Sequence, residues 1–443
     1  MKINRYVLAD LTAGQRAAIM RRAQANLQEV EPVAAEIVAA VRDRGDTAVA
    51  EYTAKLDGAD LRPGEFRVTP SEFDAAEQLV EPALRKAIEQ AVSNVKRHHK
   101  HQLPAPGWMA ELSPGVISGE RVTPIASAGL YVPRGKGSFP SVLMMLGVPA
   151  VLAGVPRIAV FTPPGPSGEV DAASLVAARL CGVDEIYKVG GAQAIAVMAY
   201  GTETIARVDK IVGPGNRYVA AARRLVYGSV DPGTPAGPSE SIILCDGTAD
   251  PELAAYELLV EAEHGPDSAA LLVTNSASLA DAVTKLVPDL VAALPEQRKR
   301  FVEAVLSGFG GVVITGSLDE SVQFANDYAP EHLRVLVQQP FEVLHHIVNA
   351  GEILLGEGAS IAFGNFAIGV NAILPTGAFA RSYSCVGVED FLKRSSFAYV
   401  SKAGVQGVGP VALELAQYEG FPSHANAARY VMSVARQHAA DED

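Results

Sequence analysis

The sequence predicts an α/β protein with two parallel-sheet domains and helical segments at both ends. Three observations carry this. From about Ile125 onward, short apolar runs alternate with amphipathic stretches in units of about 25 to 30 residues, which implies right-handed crossovers and a parallel sheet. A turn-rich break, Pro232-Gly-Thr-Pro-Ala-Gly-Pro238, separates two such series of different spacing. At 443 residues, 49% of them apolar, the chain is too long for one ordinary core and too apolar for extended disorder.

Taken in order, Val30, Val33, Ala34, Ile37, Val38 and Val41 recur at helical spacing within Leu27 to Lys55. A second long helix is expected from Ser71 to His101. Strands are expected at Ala128–Val132, Arg157–Phe161, Ile186–Val189 and Lys210–Val212. Helices Ser141–Ala153, Val170–Leu180, Gln193–Tyr200 and Arg217–Tyr227 alternate with them. Beyond the break, strands are read at Ser241–Leu244, Ala269–Val273, Gly311–Ile314, Leu333–Val337 and Glu352–Leu355. Between them lie helices Pro251–Glu263, Leu279–Leu294 and Pro295–Leu306, and the chain from about Arg381 reads as helical. The partition is an N-terminal extension (1–25), a discontinuous α/β domain (26–124 and 238–380), a second α/β domain (125–237) and a helical C-terminal arm (381–443).

A formal net charge of −13 argues against nucleic acid or an anionic membrane as the main partner. Cys181, Cys245 and Cys385 lie far apart in apolar contexts, so each reads as a buried small side chain in a reducing compartment. The N-terminus shows no apolar signal region. The apolar stretch from Val142 to Phe161 is broken by Pro149, Gly154 and Pro156, which fits a buried helix and strand better than a membrane span. The expectation is a soluble, cytoplasmic protein.

Two short segments stand out chemically. Glu261-Ala-Glu-His264 places a carboxylate and an imidazole three residues apart, on one face if helical, where they could grip a metal or a substrate. In Tyr328-Ala-Pro-Glu331-His332 the two groups are adjacent. At a helix-to-strand bend both could face a cleft as an acid/base pair. By itself His264 reads as a satisfied polar residue near a helix end. The cluster Lys96-Arg-His-His-Lys-His101 and the pair His345-His346 read as solvated faces before they read as metal sites. Three Gly-rich loops, Tyr131-Val-Pro-Arg-Gly-Lys-Gly137, Val189-Gly-Gly-Ala-Gln193 and Gly213-Pro-Gly-Asn216, follow predicted strands, where parallel sheets bind ligands. None carries a dinucleotide or P-loop fingerprint. Each is a tight turn or part of a nucleotide cleft.

The ordered series Gly129-Leu-Tyr-Val-Pro, Val189-Gly-Gly-Ala-Gln193-Ala, Gly213-Pro-Gly-Asn216, Gly237-Pro-Ser-Glu240, Ala262-Glu-His-Gly265 and Tyr328-Ala-Pro-Glu-His332-Leu resembles the histidinol dehydrogenase family. It continues through Gly369-Val-Asn and Leu374-Pro-Thr376 to His424, so the resemblance spans essentially the whole chain. It implies two Rossmann-like domains, with NAD on the 125–237 domain, and oxidation of an alcohol through the aldehyde to the acid. In the family the reaction uses two NAD and normally one zinc per site. Tyr131, Gln193 and Asn216 match NAD-binding positions, and Glu331 and His332 match the acid/base pair. Ser239, His264, Glu419 and His424 match substrate-contacting or metal-binding positions. The family is a homodimer whose C-terminal arm completes the partner's site, which places Glu419 and His424 in trans.

Three positions depart from the family. Its zinc is held by Gln, His, Asp and His; here the Gln position is Glu261 and the Asp position is Asn365. Its Asn-His-Val-Leu-Pro-Thr reads Asn371-Ala-Ile-Leu-Pro-Thr376, so a substrate-contacting histidine is Ala372. One account keeps zinc on Glu261, His264, Asn365 and His424, the carboxylate having changed position. The other, preferred on the residues alone, has zinc absent or weakly bound because the substrate lacks an imidazole. The expected function is NAD-dependent oxidation of a small polar primary alcohol, with His332 as general base and Glu331 activating water. Genuine zinc-dependent histidinol oxidation is the alternative, and a catalytically silent homologue the remaining one.

Overall fold

The computed structural model describes residues 1–22, 27–134 and 137–440; Gly135 and Lys136 of the first Gly-rich loop and the acidic tail 441–443 lie outside the described residues. The strands, in chain order, are β1 (Arg5–Val7), β2 (Gly107–Ser113), β3 (Val116–Pro124), β4 (Ser127–Tyr131), β5 (Arg157–Phe161), β6 (Glu185–Tyr187) and β7 (Lys210–Val212). They continue as β8 (Glu240–Cys245), β9 (Ala269–Thr274), β10 (Gly311–Ile314), β11 (His332–Leu336), β12 (Glu352–Leu355) and β13 (Leu392–Val400). Six strands in the order β1-β10-β9-β8-β11-β12 form one parallel sheet. Four in the order β6-β5-β4-β7 form a second parallel sheet, so the expected α/β class with two parallel sheets is found.

Strands β8, β9 and β11 of the six-stranded sheet are buried on both faces, which explains why they read as continuous apolar runs. Ile243, Leu272, Val312 and Leu354 pack with helices Pro251–Val260, Ala277–Ala292 and Glu296–Ser307. Ile242, Leu271, Val313 and Val335 face helix Leu318–Tyr328 instead. Helix Leu27–Arg44 lies on helices Gly191–Tyr200 and Arg217–Leu225 of the smaller sheet, and helix Pro82–Lys100 lies on Pro140–Ala153 and Ala172–Cys181.

Several elements differ from their sequence reading. The helix read over Leu27 to Lys55 is interrupted at Gly45, whose φ of 54° leaves the helical region, and a second helix starts at Asp46. That read over Ser71 to His101 is two helices, Pro70–Leu79 and Pro82–Lys100, because Pro82 opens a new first turn. Near its end His99 is buried rather than solvated; its Nδ1 is 2.7 Å from Gln102 Oε1 and its Nε2 3.2 Å from Asn371 Nδ2. The N-terminal residues supply an edge strand, β1, paired to β10. The segment after Arg381, expected to be helical, contains β13, which pairs antiparallel with β3, itself paired with β2. Most of β13 is exposed, so it shows no alternation of buried and solvated positions from which a strand could be read.

Contact clustering divides the chain into two compact units, Met1–Gln102 with Ile125–Phe391, and Leu103–Pro124 with Leu392–Asp443. The second unit holds the β13-β3-β2 sheet and the paired helices Lys402–Tyr418 and Pro422–Ala440, with Val405, Met432 and Ala435 as its small core. Trp108, Met109, Leu112, Tyr418, Tyr430 and Val431 of this unit are exposed. Among the described residues no helix is long and apolar enough to cross a membrane.

One buried charge ties the larger sheet to the loop after β12. Arg334, fully buried in β11, donates to the carbonyls of Leu354 (3.3 Å), Gly356 and Glu357 (2.9 Å). Its Nε is 3.7 Å from Glu257 Oε2, which accepts the Ile361 N–H at 3.0 Å and so holds the start of helix Ile361–Phe366. Replacing Arg334 with Met removes the cation and leaves the Glu257 charge buried. A loss of about 3–5 kcal/mol is expected in urea unfolding. A loss below about 1 kcal/mol would show that the network does not hold this edge of the sheet.

Candidate functional site

Helix Leu318–Tyr328 stops at Ala329, a non-glycine residue in left-handed conformation (φ 53°), and Pro330 leads into β11 at His332. This is the helix-to-strand bend expected for the acid/base pair. The pair sits at the amino end of β11, the strand between β8 and β12. Glu331 Oε2 accepts the Glu240 N–H at 2.8 Å. His332 Nδ1 is 2.8 Å from Glu352 Oε2, and His332 Nε2 is 3.8 Å from Glu261 Oε1.

Glu261 and His264 are close, though not on a helical face. Helix Pro251–Val260 ends before them and they occupy the turn that follows. His264 Nδ1 lies 3.1 Å from the Val260 carbonyl and 3.4 Å from Glu261 Oε2. Asn365, on helix Ile361–Phe366, donates its Nδ2 to Glu261 Oε1 at 3.2 Å, and Ser239 also hydrogen-bonds Glu261. Glu261, His264, Ser239, Asn365, Glu331 and His332 therefore form one cluster. Ala372 lies beside Met145, its N–H 3.3 Å from Sδ. Glu419, the residue that ends helix Lys402–Tyr418, and His424, whose ring contacts Phe421, lie in the second unit.

Burial by itself would lower the His332 pKa. The Glu261 charge, the hydrogen bond to Glu352 and the Glu331 charge outweigh it and push the imidazole up to about 10. Burial drives the Glu331 carboxyl well above the usual range, against the opposing pull of His332. For Glu261 burial also acts upward, but His264, His332 and the Asn365 and Ser239 hydrogen bonds prevail and hold it below its ordinary value. Glu240 is pushed up to about 7 by burial, against Arg22, whose Nη1 is 2.5 Å from Glu240 Oε1 and whose guanidinium lies 3.7 Å over the Tyr328 ring. The result is one imidazole enclosed by carboxylates of different proton affinity, an arrangement suited to moving protons.

A dinucleotide fits the smaller sheet. Tyr131 ends β4, and Gly213 follows β7; these neighbouring strands flank the point where the strand order reverses. A Cβ at Gly213 would stand 2.2 Å from the Tyr131 carbonyl oxygen, so only glycine permits this approach. The Tyr131 hydroxyl accepts the Gly191 N–H (3.0 Å) at the start of helix Gly191–Tyr200. Gln193 donates Nε2 to Asp57 Oδ2 (3.2 Å), while its buried Oε1 has no partner among the described residues. Asn216 caps helix Arg217–Leu225, accepting the Tyr218 and Val219 N–H groups at 3.0 and 3.1 Å.

The donor set near Glu261 also suits zinc, which takes nitrogen and oxygen ligands. Glu261 offers a carboxylate, His264 an imidazole, and Asn365 an amide whose rotation exchanges nitrogen for oxygen. The groups of Glu261, Glu331 and His332 themselves lie within 4.8 Å of one another.

Sequence reasoning missed Glu352, Glu240's side chain, Asp57 and Arg22. The only available signal was a charged residue opening an apolar run, as in Glu352-Ile-Leu-Leu355.

Comparison with known proteins bears on the same residues. The model of the family described as histidinol dehydrogenase matches residues 20–432. A histidinol dehydrogenase of Synechocystis sp. is 51% identical over 422 residues, covering 95% of this chain and 97% of that one. A protein named histidinol dehydrogenase homolog in Cereibacter sphaeroides is 52% identical over 429 residues, covering 96% and 97%. The crystal structure of histidinol dehydrogenase from Elizabethkingia anophelis matches with a TM-score of 0.91 at 34% identity, over 98% of this chain and 99% of that one. On sequence, on fold and over nearly its whole length, the chain belongs to the histidinol dehydrogenase family.

Proposed function

We propose that this protein oxidises L-histidinol through the aldehyde to L-histidine in an NAD-dependent reaction, as a cytoplasmic homodimer. The observation that carries the reading is the buried His332 imidazole, bonded through Nδ1 to Glu352 and flanked by Glu331 and Glu261. The names of relatives about half identical to it support histidinol as the substrate. The exposed apolar side chains of the C-terminal unit support the dimer, with Glu419 and His424 delivered to the partner's site.

NAD, when bound, supplies the hydride acceptor. Tyr131, Gln193 and Asn216 would hold it at the edge of the smaller sheet. His332 Nε2, the ring nitrogen not engaged by Glu352, takes the alcohol proton. The surrounding carboxylates favour the protonated ring in the free protein, and for the same reason make the neutral ring a strong base. Glu331 then takes a proton from the water that adds to the aldehyde, its raised proton affinity again favouring the transfer. The hydrate gives up its own hydroxyl proton to His332 in the second oxidation. A zinc ion would be held by Glu261, His264, Asn365 and His424 and would polarise the alcohol oxygen when bound.

A second reading is favoured by one observation. Position 372 is Ala372, which offers no imidazole to a substrate, and Glu261 pairs with the Asn365 amide at 3.2 Å. A substrate without an imidazole, oxidised without zinc, fits that arrangement.

Turnover, growth, metal content and the activity of two variants test these statements. NADH production should be fastest with L-histidinol among amino, hydroxy and sulfo alcohols, and the gene should restore growth of a histidine auxotroph. Preference for another alcohol together with failed growth would transfer the argument to the second reading. Protein purified without added zinc should carry about one zinc per chain and lose activity to a chelator; full turnover by metal-free protein would remove the zinc. Finally, His332→Ala should lower kcat by about 10²–10⁴-fold without loss of fold. Glu331→Gln should slow oxidation of the aldehyde more than that of the alcohol, and equal effects on both steps would rule out its role with water.

A further inference from the structure

The three carboxylates around His332 are not equivalent. Glu331 commits Oε2 to the Glu240 N–H at 2.8 Å. Glu261 is engaged by His264 at 3.4 Å and by Asn365 at 3.2 Å, and stands 3.8 Å from the His332 ring. Only Glu352 meets the imidazole at full hydrogen-bond distance, 2.8 Å at Nδ1. The backbone sets this contact. β11 and β12 are paired in parallel with His332 opposite Glu352, and the Glu352 N–H donates to the Glu331 carbonyl at 2.9 Å. Both side chains are buried.

We infer that Glu352 is the positioning residue of the proton-transfer site, accepting the Nδ1 hydrogen of His332 and thereby directing Nε2 toward the substrate. An ionised carboxylate can only accept, so a Glu352 bond to Nδ1 requires the hydrogen there and assigns the basic lone pair of the neutral ring to Nε2. The same bond fixes the ring plane, as an acidic partner does for the histidine of a hydrolase triad. Two further observations support this role. Glu352 Oε1 is buried with no hydrogen-bond partner among the described residues, a placement that folding alone disfavours. Helix Ile361–Phe366 presents Gly364 to this carboxylate, where a Cβ would come within 2.8 Å of Oε1, so the helix leaves room for Glu352 at that point. The other charged or titratable groups around the pair are Glu240 and Arg22 behind Glu331, His264 beside Glu261, and Cys385 near Glu352.

The inference rests on the dehydrogenase reading, and its test separates the two. E352Q keeps the shape but offers an amide that can accept or donate, so Nδ1 no longer has to carry the hydrogen. With L-histidinol and NAD, kcat should fall at least about tenfold while both KM values stay within about threefold of wild type. In protein labelled with ¹⁵N-histidine, the His332 Nδ1 resonance, identified by its absence in H332A, should shift in E352Q. G364A, whose Cβ would come within 2.8 Å of Glu352 Oε1, should lower kcat in the same direction. E352Q with kcat within threefold of wild type and an unshifted Nδ1 resonance would overturn the role of Glu352. A wild-type protein that reduces no NAD with any alcohol would instead overturn the functional reading beneath it.

Discussion

Four glutamates, Glu240, Glu261, Glu331 and Glu352, are buried at the amino ends of β8, β11 and β12 or beside them, and the site depends on how each is compensated. Isolated carboxylates cannot be carried into a protein interior without partners or protons. Glu240 has Arg22 and the Gly377 N–H, and Glu261 has Asn365, Ser239 and the charges of two histidines. Glu331 has the Glu240 N–H, and Glu352 has the His332 ring. His332 thus compensates several acids at once, which is why its proton affinity rises although burial acts to lower it. The contacts that hold these acids in the interior are the same ones that raise the proton affinity of His332.

The two parallel sheets carry their candidate site residues at opposite ends of their strands. In the smaller sheet Tyr131 and the loop after β7 lie at the carboxyl ends, the usual position for a dinucleotide. In the larger one Glu331 and His332 open β11 at its amino end. The strand order reverses between β4 and β7 in the smaller sheet and between β8 and β11 in the larger one. The segment between β7 and β8 reaches both regions, with Thr234 bonded to Arg223 and Gly237 bonded to Thr376.

Glu261 links two parts of the cluster. The Asn365 amide donates to it at 3.2 Å, and it stands 3.8 Å from the His332 ring. Its charge is the largest of the influences that raise the proton affinity of that imidazole, a coupling that a neutral amide at position 261 would not provide.

The parallel α/β architecture was legible in the chain because it rests on periodicity and turn chemistry, which are local. Strands β4 to β12 were readable for that reason, and the Gly-rich loops and the Glu331-His332 bend were visible as motifs. Short or solvated elements were not, since β1 is three residues long and β13 is mostly exposed; both are strands through pairing with distant segments. The sequence by itself determined which acids and imidazoles are present and which loops follow which strands. Only the tertiary structure decided that Glu352 meets His332 and that Glu261 meets Asn365. Strand register and helix packing join residues 20 and 104 positions apart in those contacts, and no local pattern encodes such distances.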